Sequence, residues 1–259
     1  MTNYYFVGVI LPELQMGIPP EITFNEFIVL LRDNLNSNDL TLTHVIRRYY
    51  DLENFRSHWK EDPLDPYGNL DDTNLEEVLL IPELLPNYAQ KFLEKYESTE
   101  ARLRYFSDLI SAYFREEAAQ SKGFLKEYLL FERKLRLIQT AFRAKYLNRD
   151  LLEELQFENP EESFIQHLIS QKDSGKFELP HGFEQLNSIF EKNYTAPIDL
   201  HKALCEFRFQ KIADLIGDQV FTIDRILGYM VQLILVERWE SLDQEKGNRL
   251  VDQYITSQV

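Results

Sequence analysis

Residues 124–146 read FLKEYLLFERKLRLIQTAFRAKY and carry the clearest structural pattern in the chain. Large apolar side chains recur there at alternating spacings of four and three positions, namely at Phe124, Tyr128, Phe131, Leu135, Ile138 and Phe142. This period places them on one stripe of an α-helix about 34 Å long. A second stripe, formed by Leu125, Leu129, Leu137 and Ala141, widens the apolar face. We therefore expect this helix to pack against two neighbours and to organise the fold.

The composition favours more helices of the same kind. Hydrophobic residues make up 44% of the 259 positions and aromatic residues 13%, which is enough for a large core and excludes disorder as the main state. Only 9 glycines occur, whereas the many tight turns of a β-sandwich or β-barrel would need more. The sequence therefore predicts an all-α protein.

Local signals place several further elements. Thr23 and Glu26 have the spacing of a capping box, and the helix that they open carries Phe24, Phe27, Ile28 and Leu31 on one face. The pair Asn159-Pro160 is typical of a helix start.

The apolar run 4–11 is compatible with a short N-terminal strand or with a buried helical turn. Further helices are predicted at about 41–60, 86–97, 99–119 and 222–257, and loops at 61–73 and 172–182.

Charge is negative overall and uneven along the chain. A formal charge of −15 disfavours binding to nucleic acids and to anionic membrane surfaces. Residues 61–100 contain 11 acidic and 2 basic side chains, whereas 121–149 contain 8 basic and 2 acidic ones, and 150–162 contain 6 acidic ones. Two interpretations stay open: the basic helix pairs internally with its acidic neighbours, or the acidic surfaces attract a basic partner protein.

No pattern for catalysis, cofactor binding or metal binding is present. The chain lacks a phosphate-binding glycine loop, a His-Glu-x-x-His or Cys-x-x-Cys motif and a Gly-x-Ser-x-Gly elbow. The five histidines (His44, His58, His167, His181 and His201) include no pair at the one-turn spacing that a helical zinc site needs, and Cys205 lies in an apolar stretch typical of a buried cysteine. We therefore predict a protein that is not an enzyme, with no catalytic, cofactor-binding or metal-binding residues.

One acidic stretch allows an enzymatic alternative. Residues 70–77 read LDDTNLEE, which loosely resembles the magnesium-binding motif of helical prenyl-chain enzymes. The same residues suit the start of a helix, because Asp71 and Asp72 follow a loop rich in proline and glycine and would face the positive end of the helix dipole.

The chain is expected to be cytoplasmic. Its N-terminus lacks the basic region of a secretory signal, and a single cysteine fits a reducing compartment. The longest apolar stretch, 226–236, would rise only about 16 Å as a helix, roughly half of a bilayer core.

The organising helix also carries a family signature. Within 130–145, the residues Glu132, Arg136, Arg143, Ala144 and Lys145 match a pattern of the central-stalk cap of rotary ATPases. The stretch thus resembles the cap proteins of archaeal A-type and eukaryotic V-type enzymes, which form the C/d family, although Leu135 stands where the motif usually has Asn. Most of the chain is similar to an uncharacterised bacterial family encoded beside V/A-type ATPase subunits, where a cap protein of the C/d family is expected.

Two further stretches resemble the same motif, 49–56 (YYDLENFR) and 226–247. Asp51, Glu132 and Glu237 would then be equivalent points of three diverged helical units, at about 1–97, 98–180 and 181–259, in a bundle or funnel-like array. The resemblance implies a non-catalytic subunit on the cytoplasmic face of the membrane, which joins the central stalk to the rotor ring of a proton- or sodium-transporting complex through protein contacts only. The alternative is a helical adaptor or scaffold unrelated to ATPases, whose acidic 61–100 region binds a basic partner.

Overall fold

A computed structural model describes residues 4–172, 174 and 176–241. This part of the chain contains thirteen α-helices and one short 3₁₀ helix, and no β-strand, so the all-α prediction is confirmed. The α-helices are α1 (Tyr5–Ile10), α2 (Phe24–Asn34), α3 (Ser37–Lys60), α4 (Asp72–Leu80), α5 (Asn87–Lys95), α6 (Thr99–Arg104), α7 (Phe106–Gln120), α8 (Gly123–Tyr146), α9 (Leu151–Glu154), α10 (Ser163–Ser170), α11 (Gln185–Asn193), α12 (Pro197–Ile216) and α13 (Ile223–Ser241). The 3₁₀ helix is Pro82–Leu84.

The predicted organising helix is α8. Every residue of both predicted apolar stripes is buried along its length. The helix packs against α7 and α9, which confirms the expected two neighbours. Two aromatic residues from later in the chain also pack against α8. The ring of Phe183 lies 5.6 Å from that of Phe131, and the ring of Phe177 lies 5.0 Å from that of Phe142.

The capping box at Thr23 is present as predicted. The backbone N–H of Glu26 donates to Thr23 Oγ1 at 3.3 Å, and the backbone N–H of Thr23 donates to Glu26 Oε2 at 2.9 Å. The apolar face of α2 is buried at Phe24, Phe27, Ile28 and Leu31. The start of the second long helix, in contrast, lies four residues before the predicted Thr41, because the Asn36 side chain accepts the backbone N–H of Asp39.

Of the two alternatives left open for the N-terminal run, the helical one is present: the run forms α1 with Val7 buried, and the Gly8 N–H donates to Tyr4 O at 2.9 Å. Two other local predictions are wrong. Asn159 accepts the N–H of Glu161 in a turn, so α10 begins only at Ser163. The predicted helix 99–119 is divided into α6 and α7 at Tyr105.

The chain divides into two compact units. Unit 1 comprises residues 1–40 and 189–259, and in its described part α13 packs against α12 and α2. Unit 2 comprises residues 41–188, in which α7 packs against α5 and α8. The three diverged helical units expected from the family resemblance stay a prediction.

The apolar stretch 226–236 forms the buried centre of α13, and all eleven of its residues are buried. Helix α13 is described up to Ser241, so the rest of the predicted 222–257 helix lies outside the described residues. None of the helices in the described ranges has the length and apolarity needed to cross a membrane.

Candidate functional site

The signature residues lie along the second half of α8. Glu132 and Ala144 are buried, Arg136 and Lys145 are partly buried, and Arg143 is exposed. Two of the five matched positions therefore belong to the interior of unit 2, and Arg143 is the exposed member of the set.

A charged network fixes the segment after α9 to the signature helix. Arg133 donates to Glu158 at 2.6 Å and to Glu162 at 2.7 Å, and Ser111 donates to Glu158 at 2.6 Å. Burial lowers the pKa of Arg133, but the hydrogen bonds to Glu162 and Glu158 outweigh it and raise the pKa above its ordinary value. The same bond from Arg133 lowers the pKa of Glu162. Internal pairing between the basic helix and its acidic neighbours is thus confirmed for this stretch.

Arg136 connects two of the three signature-like stretches. It lies 3.8 Å from Glu158, and it interacts electrostatically with Tyr49 and Glu53 of the stretch 49–56 on α3. Burial lowers the pKa of Arg136, and the three partners oppose that effect. Arg136 therefore lies near enough to carboxylates from two other segments of unit 2 to interact with them electrostatically.

Asp51 anchors the loop that leads into α4. Its carboxylate accepts the backbone N–H groups of Asn69 at 2.5 Å and Leu70 at 3.0 Å, and also the Asn69 side-chain amide at 2.7 Å. Burial raises the pKa of Asp51, although these hydrogen bonds act in the opposite direction. Gly68 approaches so closely that an added Cβ would lie 2.7 Å from Asp51 Oδ1.

Glu237 has a similar role in unit 1. Its Oε1 accepts the backbone N–H of Phe24, the first residue of α2, at 2.7 Å. Asp51 and Glu237 thus each use a carboxylate on a long helix to hold backbone N–H groups at or near the start of another helix. Glu132, the third position of the predicted set, is buried on α8.

A cavity of about 260 Å³ lies at the end of the signature. It is lined by the signature residues Ala144 and Lys145, by Arg149 and Lys172, and by the ring of Phe177. Lys145 Nζ donates to Ser174 O at 2.7 Å and lies 5.1 Å from the centroid of the Phe177 ring. These contacts of Lys145 connect Ser174 and Phe177 to α8 within unit 2.

The residues weighed for other chemistry have local structural roles. Cys205 is buried with Sγ 3.3 Å from His201 Nε2, and burial lowers the pKa of His201. Asp71 is the N-cap of α4 and accepts the N–H of Asn74 at 2.9 Å, as expected for a helix start. Within the described ranges, no three or more His, Cys, Asp or Glu side chains are grouped to hold a metal ion.

A second buried cluster has no marker in the sequence. Glu117 on α7 pairs with Arg48 and accepts a hydrogen bond from the Tyr88 hydroxyl at 2.9 Å. Burial, followed by the nearby Glu117 charge, raises the pKa of Tyr88 well above its ordinary value. The three residues come from three helices and share no spacing that a sequence pattern could detect.

Comparisons with known proteins assign the chain to a family. Residues 1–257 match the family described as "Protein of unknown function (DUF2764)". The chain belongs to this family. Uncharacterised proteins of Chlamydia muridarum and Chlamydia pneumoniae are each 28% identical to it over 258 residues, and one of Chlamydia trachomatis is 27% identical over 259 residues. Each alignment covers 97% of both chains, and no solved structure matches this DUF2764 protein.

Proposed function

We propose that this DUF2764 protein is a non-catalytic subunit of a V/A-type rotary ATPase, which joins the central stalk to the membrane rotor ring on the cytoplasmic side. The observation that carries the proposal is the signature-like stretch 130–145 on α8, the helix around which unit 2 is packed. On this helix Glu132 and Ala144 are buried and contribute to the interior of unit 2, whereas Arg143 is exposed and is available to a partner.

The mechanical properties of unit 2 suit such a role. A protein that transmits torque needs a body that does not open locally under load, and buried apolar contacts supply that resistance. Helix α8 has twelve buried residues, and the network of Arg133, Glu158 and Glu162 fixes the following segment to it. Long helices with this packing transmit force better than loops do.

The paired roles of Asp51 and Glu237 support the kinship further. Both positions come from stretches that resemble the same motif, and both hold backbone N–H groups at or near a helix start within their own unit. Such a shared role is expected when a diverged helical unit occurs more than once in a chain.

Co-expression tests the proposal. The tagged chain would be produced together with the central-stalk and rotor-ring subunits of a V/A-type ATPase from the same genome, then purified at moderate salt and detergent. We expect both sets of subunits to remain bound through size-exclusion chromatography. If the chain elutes alone while the stalk and ring subunits are folded and present, the proposal is wrong.

A further inference from the structure

An exposed apolar ridge lies where α4 ends and the 3₁₀ helix begins. Leu80, Ile81 and Leu84 form this 80–84 ridge and expose 83%, 45% and 59% of their surfaces. The backbone of the ridge is ordered by its neighbours. Leu75 and Leu85 on either side of it are buried, and the N–H of Leu84 donates to Ile81 O at 3.1 Å. Three large aliphatic side chains within five positions are therefore presented to the surroundings on a fixed backbone.

The segment that carries this ridge is rich in carboxylates. Residues 61–90 contain eight acidic side chains and no lysine or arginine. Five of the acidic side chains belong to the segment that carries the ridge, and all five are exposed: Asp71, Asp72, Glu76, Glu77 and Glu83. Within the described part of the chain none of these five forms an ion pair, in contrast to the acidic segment 150–162, where Glu154, Glu158 and Glu162 pair with arginines.

We propose that the 80–84 ridge is the docking surface for a basic amphipathic helix of a partner protein. The apolar stripe of that helix would cover Leu80, Ile81 and Leu84, and its flanking Lys and Arg side chains would meet the carboxylates of this segment. Covering the ridge removes aliphatic surface from water, and the opposite charges set the orientation of the helix.

The charges favour this occupant over others. A second copy of the chain would bring the same carboxylates to the ridge, and like charges at close range repel. An anionic membrane surface is disfavoured for the same reason. The inference goes beyond the rotary-ATPase proposal and does not depend on it, since a basic helix could belong to any partner.

A designed peptide tests the surface directly. A fluorescein-labelled helix of roughly 18 residues (about five turns), built from leucine on one stripe and lysine elsewhere, would be titrated with the full chain and followed by anisotropy. A peptide of the same composition with the leucines scattered around the helix is the reference. We expect the amphipathic peptide to bind at least tenfold more tightly than the reference, and more weakly as salt rises from about 50 to about 300 mM.

Variants then locate the contact. Replacing Leu80→Ser and Leu84→Ser together should weaken binding at least tenfold and leave its salt dependence unchanged. Glu76→Gln with Glu77→Gln should reduce the salt dependence. The matched control is Leu147→Ser with Leu152→Ser, which changes two other exposed leucines, 49% and 48% exposed, and should leave binding as it was.

Several outcomes would overturn the proposal. Equal affinity for both peptides would mean that charge alone attracts them, and an unchanged affinity of the Leu80/Leu84 variant would place the contact elsewhere. Self-association of the wild-type chain that this variant abolishes would assign the ridge to a second copy. Binding of the wild type but not of the variant to zwitterionic vesicles would assign it to a lipid surface. Because all substituted side chains are exposed, unfolding midpoints should stay constant and confirm that each variant is folded.

Discussion

The carboxylate of Glu237 accepts a hydrogen bond from the backbone N–H of Phe24 at 2.7 Å, across 213 positions of the chain. Phe24 is the first residue of α2, where backbone N–H groups have no partner within the helix. The Thr23 side chain accepts a different N–H, that of Glu26. Glu237 therefore completes the start of α2 and fastens α13 to it.

Removal of this bond should destabilise unit 1. We expect Glu237→Ala to lower the free energy of unfolding by about 1 kcal/mol, because the Phe24 N–H loses its acceptor. Glu237→Gln should cost less, since its amide oxygen can still accept. Urea unfolding followed by circular dichroism measures both. The control is Glu206→Ala, an exposed glutamate on α12; equal stabilities of the Glu237 and Glu206 alanine variants would contradict this role.

Removing Arg133 from the charged network on α8 should lower the free energy of unfolding more than removing Glu237 does. Only 5% of the Glu158 side chain is exposed, and Arg133→Ala would leave its carboxylate without its closest cation. We therefore expect the free energy of unfolding to fall by about 2–4 kcal/mol. Lys126→Ala, at an exposed position of the same helix, should change the unfolding free energy little. A loss no larger than that of the Lys126 variant would show that the network contributes nothing to stability.

The pKa of Glu162 predicts a pH dependence. Its hydrogen bond with Arg133 lowers the pKa below the ordinary value of 4.5, so the folded state holds fewer protons than the unfolded chain near that pH. The stability contributed by the ionised carboxylate is present above about 4.5 and is lost as the pH falls through the folded-state pKa. We expect the stability difference between wild type and Glu162→Gln to shrink between pH 7 and about pH 3 in urea titrations. A difference that is constant or grows toward acid would refute this assignment.

Gly68 should not tolerate a side chain. A Cβ at this position would lie 2.7 Å from Asp51 Oδ1 and 2.9 Å from Asn54 Nδ2. We expect Gly68→Ala to lower the free energy of unfolding by about 1–3 kcal/mol. In the Asp51→Ala background the cost should be smaller, because one of the two clashing groups is gone, and a double-mutant cycle by thermal unfolding measures the difference. Strict additivity would mean that the approach of Gly68 to Asp51 is not what limits this position.

The sequence predicts the structure best where apolar residues follow the helical repeat over several turns. Phe124 to Phe142 follow the helical repeat without interruption, and burial of every member agrees with the expected stripe. The capping box of Thr23 and Glu26 is equally local, because both partners lie within one turn. Such features depend on neighbours in the chain, and the sequence displays these neighbours directly.

Features that depend on distant partners are not predictable in this way. Asn159 has the residue type of a helix cap, but its side chain closes a turn, while Glu158 and Glu162 on either side pair with Arg133. The exposure of Leu80 and Leu84 also escapes a pattern search, because an apolar residue in a short helix is normally expected to be buried. Contacts between distant segments decide these cases.

Assembly of a three-part complex tests the rotary-ATPase proposal most directly. Purified central stalk and detergent-solubilised rotor ring would be mixed with and without the chain, and stalk that co-elutes with the ring would be quantified. We predict co-elution only when the chain is present. Arg143→Glu, at the exposed signature position, should reduce it about tenfold, while Lys126→Glu on the same helix should not. Stalk that elutes apart from the ring in the presence of the folded chain would contradict the proposal.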